Sequence, residues 1–411
     1  MSAPVIIAGA GQAGAQAAVS LRQEGYVGPI ILVGNEVALP YQRPPLSKGF
    51  LKAQVDEAGL LLRAEKVYVD NTVDVVLGES ISAIDRAGKR LKLASGRELE
   101  YSHLVLALGS RNRRLPLEGA ELDGVAYLRD LVEARWLKER LASAKRAVVI
   151  GGGFIGLEFA ASARALGLEV TVVEAAPRPM SRVLSEQMSN FISARHEAEG
   201  VKVLTNQGVR RLVGANGQLT GVELSDGRVL ETDLAVIGIG VLPNVELAQA
   251  AGLEISNGIV VDALLQTSDA AISAIGDCAA FPTPFANGLM RLESVQNAVD
   301  QGRAVAARLA GKAAAPFTAV PWFWSEQYDI RLQMAGITSG HDQVVLRGDP
   351  ASNAFSVFCY RGGKFLGAES VNKAQDHMAV RKLLGANIEL TPEQAADPAY
   401  DLRAAGAKAG R

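Results

Sequence analysis

Two stretches of the chain repeat one pattern of apolar and small positions. Val5–Ala8 and Val148–Ile150 are short runs of mostly β-branched residues, and each leads into a cluster of glycines. A helical stretch follows in both cases, Ala13 to Gln23 and Ile155 to Leu166, and then a second apolar run, Ile30 to Val33 and Val170 to Val173. Unbroken apolar runs of this length, bounded by glycine, predict strands buried on both faces, which belong to parallel sheets. The order strand, glycine turn, helix, strand predicts two βαβ units in one chain.

The glycines give these units a chemistry. Gly9, Gly11 and Gly14 in the first copy and Gly151, Gly153 and Gly156 in the second follow the spacing G-x-G-x-x-G. In that spacing the first glycine makes the strand-to-helix turn, the second lets the backbone approach a pyrophosphate, and the third lets helix and strand pack closely. The phosphates then sit on a helix N-terminus, where free N–H groups and the helix dipole favour an anion. The second copy ends its second strand in Glu174, a carboxylate placed to accept from a ribose 2′-hydroxyl and to repel a 2′-phosphate. That favours NADH over NADPH, although Arg178 and Arg182 follow closely and could accommodate a phosphate. In the first copy Glu36 is the expected ribose ligand.

A chain of 411 residues exceeds one hydrophobic core and predicts two or three domains. With 48% hydrophobic and 21% charged residues, disorder and fibre are excluded, and a net charge of −2 without a long basic run gives no sign of nucleic acid binding. The uncharged stretch Met1–Leu21 lacks a basic start and carries glycine and glutamine where a signal peptide would be apolar. No segment approaches a membrane span, and a cytoplasmic location is expected. Only Cys278 and Cys359 are present, so neither a disulfide framework nor a Cys-x-x-Cys pair exists. Cys278 is expected to be a small packed residue. The four histidines are far apart, and no metal site is expected.

Further along, Thr267 to Ala279 ends a strand in Gly276-Asp277. Taken alone, this fits a strand followed by an Asx turn. Together with the N-terminal fingerprint it resembles the second FAD signature of the flavoprotein pyridine nucleotide-disulfide reductase superfamily, which implies that Asp277 binds the ribityl chain of FAD. Leu104 to Arg111 and Ala235 to Asn244 resemble that superfamily's crossings between FAD and NAD domains, with Leu108 in place of the usual threonine. The resemblance implies an α/β fold of two Rossmann-like dinucleotide-binding domains plus a C-terminal α+β domain. Its expected boundaries are residues 1–115 with 244–316 for FAD, 116–243 for NAD and 317–411 for the C-terminal domain.

Members that reduce disulfides or peroxide carry a cysteine in the N-terminal FAD segment, whereas here none precedes Cys278. Electrons must then leave from the flavin itself. Four segments resemble the NADH-dependent ferredoxin reductases of bacterial oxygenase systems: Pro40 to Lys48, Gly151 to Glu158, Arg291 to Ala298 and Pro321 to Tyr328. The resemblance implies that Arg43, Arg111 and Lys48 contact FAD, with Lys48 by the flavin ring and paired with Glu158 on the nicotinamide side. It further implies a Val295 N–H on the flavin pyrimidine and Trp324 beside the ring. Without the resemblance, Lys48 reads equally as a solvated side chain and Glu158 as a carboxylate complementing a helix dipole. The implied partner is a [2Fe-2S] ferredoxin; ferredoxins are commonly acidic, so the basic residues Arg113, Arg114, Arg303 and Lys312 are candidate docking residues, of which the resemblance matches Arg303, and Arg303 and Lys312 are expected along one helix from Ser294. Two alternatives stay open, a reductase of rubredoxin or a small molecule, and a non-catalytic flavoprotein similar to apoptosis-inducing factor. The tail from Asp397 is expected to be mobile.

Overall fold

The structure is a computed structural model that describes residues 3–407. It divides into two compact units: Met1–Gln42, Ala58–Arg111 and Leu242–Pro321 form one, and Arg43–Glu57, Asn112–Val241 and Trp322–Arg411 the other.

The first unit is built on a five-stranded parallel sheet in the order Ile272–Ala274, His103–Leu106, Val5–Ala8, Ile30–Val33, Val73–Val76. Its central strand is buried at every position, as the unbroken apolar run requires. The order reverses between Val5–Ala8 and His103–Leu106, and in such sheets ligands bind beyond the carboxyl ends of the strands at that reversal. Helix Gln12–Gln23 starts there. Helix Val295–Leu309 packs against it so closely that a Cβ on Gly302 would lie 2.9 Å from the Ala13 carbonyl oxygen. The expectation for Lys312 needs correcting: the helix ends at Leu309, and the Lys312 N–H closes the terminus on the Ala307 carbonyl instead of extending it.

The second unit repeats the theme with the order Lys202–Leu204, Glu169–Val173, Arg146–Ile150, Leu234–Ile237, Val125–Ala126, all parallel. Helix Phe154–Ala165 begins at its switch point. The same unit holds a five-stranded antiparallel sheet, Trp322–Gln327, Ile330–Gly336, Lys364–Val371, Ala354–Arg361 and Gln343–Asp349 in spatial order, covered by helix Ala374–Gly385. The tail is built into this layer, contrary to expectation. Arg347 donates to the carbonyls of Ala395, Asp397, Pro398 and Tyr400 at 2.5–3.2 Å, and Leu402 is buried in the same core as Phe358 and Leu383. Residues 408–411 of that tail lie outside the described residues. No helix among the described residues is long and apolar enough to cross a membrane.

Candidate functional site

Each glycine of the two fingerprints has a distinct geometric job. Gly9 and Gly151 sit at φ +117° and +106°, backbone that residues with a side chain rarely adopt. A Cβ on Gly9 would stand 2.1 Å from the Ala107 carbonyl oxygen, and one on Gly151 would stand 2.5 Å from that of Gly238. The third glycines pack back onto the first: Cβ atoms on Gly14 and Gly156 would fall 1.9 Å and 2.3 Å from the Gly9 and Gly151 carbonyl oxygens. The middle glycines differ, since a Cβ on Gly11 would meet nothing within 4 Å and one on Gly153 only the Gly238 oxygen at 3.8 Å. Gly11 and Gly153 are helix N-caps without a side chain to satisfy the first N–H groups. Two helix starts thus combine N–H donors without a side-chain cap with open space for a pyrophosphate, and the residues fit dinucleotides of the FAD and NAD(P)H kind.

Around the first cradle, Tyr41 donates its hydroxyl to Glu36 Oε2 at 2.5 Å and fixes that carboxylate. Ser110 donates to Asp277 Oδ2 at 2.8 Å, while the neighbouring Gly276 N–H is held by Gln301 at 2.7 Å. Asp277 lies in a short 3-10 turn after strand Ile272–Ala274. Val295 opens its helix, so its N–H has no intrahelical acceptor. Arg111 is drawn to Glu246 at 2.5 Å and to the Asn244 side chain at 2.9 Å. Arg303 is exposed and lies 3.7 Å from Asp300.

In the second unit, Glu174 Oε2 accepts from the Gly152 N–H at 2.7 Å and Oε1 from that of Ala176 at 2.8 Å. Arg178 is committed to its own loop, donating to the carbonyls of Ser181, Leu184 and Ser185, whereas Arg182 is exposed. Arg43 donates to the Arg129 carbonyl at 2.7 Å. Trp324 packs with Trp322 and Phe323, and Phe323 in turn meets Phe154 at 4.6 Å. Arg113 and Arg114 are exposed, and the Arg114 guanidinium covers the Tyr127 ring at 4.2 Å.

Lys48 and Glu158 meet. Pro44–Ser47 forms a 3-10 turn that ends at Lys48, whose Nζ lies 2.6 Å from Glu158 Oε2. Ser47 donates to the same oxygen at 2.5 Å and Ser325 to Oε1 at 2.7 Å. One turn beyond Glu158, on the same helix face, Ser162 donates to the Ser47 carbonyl at 2.7 Å and locks the turn to the helix. Only 5% of Glu158 is exposed, and burying a carboxylate so deeply is tolerated because a cation and two hydroxyls satisfy it. Ser47 and Ser325 escaped the sequence reading even though both lie inside segments singled out there, Ser47 next to Lys48 and Ser325 next to Trp324. Small hydroxyl residues carry little signal until a fold supplies their partner.

Both thiols are inert. Cys278 and Cys359 are free and buried, and burial pushes the Cys278 thiol up to about 11 and the Cys359 thiol higher still.

Residues 3–302 match the family described as pyridine nucleotide-disulphide oxidoreductase, and residues 322–406 match the reductase C-terminal family. The chain belongs to the pyridine nucleotide-disulphide oxidoreductase family. It is similar to rhodocoxin reductase of Rhodococcus erythropolis, 52% identical over 404 residues that span 98% of this chain and 94% of that protein. The crystal structure of the ferredoxin reductase for the CYP199A2 system of Rhodopseudomonas palustris aligns with a TM-score of 0.96 at 52% identity, over 98% of this chain and 100% of that one. The covalent putidaredoxin reductase–putidaredoxin complex aligns equally well, with a TM-score of 0.96 at 37% identity over 100% and 99% of the two chains.

Proposed function

We propose that this chain is an NADH-dependent ferredoxin reductase, passing electrons from NADH through non-covalently bound FAD to a [2Fe-2S] ferredoxin that serves a P-450 monooxygenase or a Rieske dioxygenase. The observation that carries the reading is the pairing of two open glycine cradles with thiols that are both buried and held protonated. A thiol relay has no nucleophile here. Bound FAD supplies the conversion of an electron pair into single electrons.

The chain's own residues bind and orient. In this reading Gly9, Gly11 and Gly14 hold the FAD pyrophosphate, Glu36 the adenosine ribose and Asp277 the ribityl chain, while Arg43 and Arg111 contact FAD, Val295 the flavin pyrimidine and Trp324 the ring. Gly151, Gly153 and Gly156 hold NADH, and Glu174 accepts from its ribose 2′-hydroxyl. Lys48 places a fixed positive charge where negative charge develops on the flavin ring, and Glu158 holds the ammonium in position. Hydride transfer from NADH needs no general acid or base, so positioning is the whole of the task. Exposed Arg303, Lys312, Arg113 and Arg114 steer an acidic ferredoxin. The proposed compartment is the cytoplasm, in keeping with two unpaired cysteines.

The test is NADH-driven cytochrome c reduction with and without a [2Fe-2S] ferredoxin. Strong acceleration by the ferredoxin is expected. Indifference to it would point to a small-molecule acceptor, and acceleration by rubredoxin alone to a rubredoxin reductase.

A further inference from the structure

The Glu158 carboxylate is the end of a longer buried chain. Ser325, which donates to Oε1, accepts from Gln327 Nε2 at 3.1 Å. Gln327 Oε1 lies 2.7 Å from His196 Nε2, and the Tyr328 hydroxyl lies 3.0 Å from His196 Nδ1. Glu158, Ser325, Gln327 and His196 are all buried, and only Tyr328 reaches partial exposure. The links join strand Trp322–Gln327 to helix Glu186–Ala198 and end on helix Phe154–Ala165.

The direction of every bond follows from one charge. An ionised carboxylate only accepts, so Ser325 must donate to Glu158 and has its lone pairs left for Gln327. The Gln327 amide must then turn its NH₂ toward Ser325 and its carbonyl toward His196. That requires the histidine proton on Nε2 and leaves Nδ1 to accept from Tyr328. Burial holds the His196 pKa below its usual value, which agrees with a neutral ring of this tautomer. All donors in the chain point at Glu158.

We infer that Ser325, Gln327 and His196 are positioning residues that act as one directional chain to hold the Glu158 carboxylate oriented, and through it fix the Lys48 ammonium. Ser47 and Lys48 both contact Oε2, so among the described side chains Ser325 alone secures Oε1. Without that bond the carboxylate can rotate and Lys48 loses its fixed counter-charge. Cooperative hydrogen bonding makes the links interdependent.

The inference rests on the reading that the Lys48–Glu158 pair serves the flavin, and the experiment separates the two. FAD-loaded full-length Ser325→Ala, Gln327→Leu, the double variant, Ser325→Thr and Lys48→Met are compared for the single-turnover rate of flavin reduction by NADH, half-saturating NADH, flavin midpoint potential and Tm. Ser325→Ala is expected to lower the limiting rate about tenfold with half-saturating NADH unchanged. It should also shift the potential in the direction that Lys48→Met does, with recovery in Ser325→Thr and no further loss in the double variant. A changed Lys48→Met beside unchanged Ser325→Ala and Gln327→Leu overturns the chain and leaves the pair's role intact. An unchanged Lys48→Met overturns the pair's role and the inference with it. Additive losses without recovery in Ser325→Thr mean packing damage and also overturn the chain. If Ser325→Ala fails to fold, Ser325→Thr and Gln327→Leu decide by the same measurements.

Discussion

Both carboxylate oxygens of Glu174 are aimed by backbone amides, those of Gly152 and Ala176, at the end of strand Glu169–Val173, which lies beside the strand that leads into the second cradle. Its charge is therefore fixed in place, while Arg178, the nearer of two cations that could favour a phosphate, is spent on loop carbonyls. Glu174→Arg is expected to lower kcat/KM for NADH about tenfold, the worth of a charge-assisted hydrogen bond, and to raise it for NADPH. Steady-state kinetics with each nucleotide check this, and an unchanged ratio would remove Glu174 from coenzyme choice. The histidines make a second residue-scale case. Burial lowers His103 and His377 from the ordinary 6.5 to about 4, so between those values the unfolded chain binds protons that the folded chain does not. Their stabilising effect is complete above pH 6.5 and is lost as pH falls toward 4, up to about 3 kcal/mol for each. Neither ring nitrogen of His377 has a hydrogen-bond partner among the described residues. His377→Phe is accordingly expected to make the fall of Tm between pH 7 and 4 shallower, and a curve parallel to the parent's would contradict the assignment.

At the scale of elements, the strand–glycine–helix units were legible because their signal is local. Helices predicted from Ala13 and Ile155 begin one residue earlier, at Gln12 and Phe154, and the buried strands fall where the apolar runs do. The distinct jobs of the three glycines were legible too, and they separate two kinds of damage. Gly14→Ala drives a methyl into backbone that cannot retreat, and a loss of about 3 kcal/mol or more of stability is expected in denaturant unfolding. Gly11→Ala meets nothing in the protein, so yield and circular dichroism are expected to stay unchanged while flavin affinity, measured by fluorescence on release, falls about tenfold. Equal defects in the two variants would refute the division. What local pattern could not supply was the surroundings of Glu158. His196 and Gln327 lie 131 positions apart, and only the antiparallel sheet brings them together. The tail was misjudged for the same reason, since its Ala- and Gly-rich composition does not announce that Arg347 will collect its carbonyls.

For the whole molecule, a net charge of −2 conceals local basic positions, and in the proposed reading these are what an acidic ferredoxin would meet. Arg303→Glu is expected to raise KM for ferredoxin about threefold at low salt and to flatten the dependence of coupling on ionic strength, with flavin reduction by NADH unaltered. A variant with the parent's salt profile would place docking elsewhere. The two cysteines add a consequence of their own, for each compact unit contains one, Cys278 in the first and Cys359 in the second, and each is sealed. Alkylation can then occur only when its unit opens, so maleimide labelling followed by peptide mass spectrometry would clock the two openings separately in one sample. The chain carries a native timer for each half, with no label to engineer.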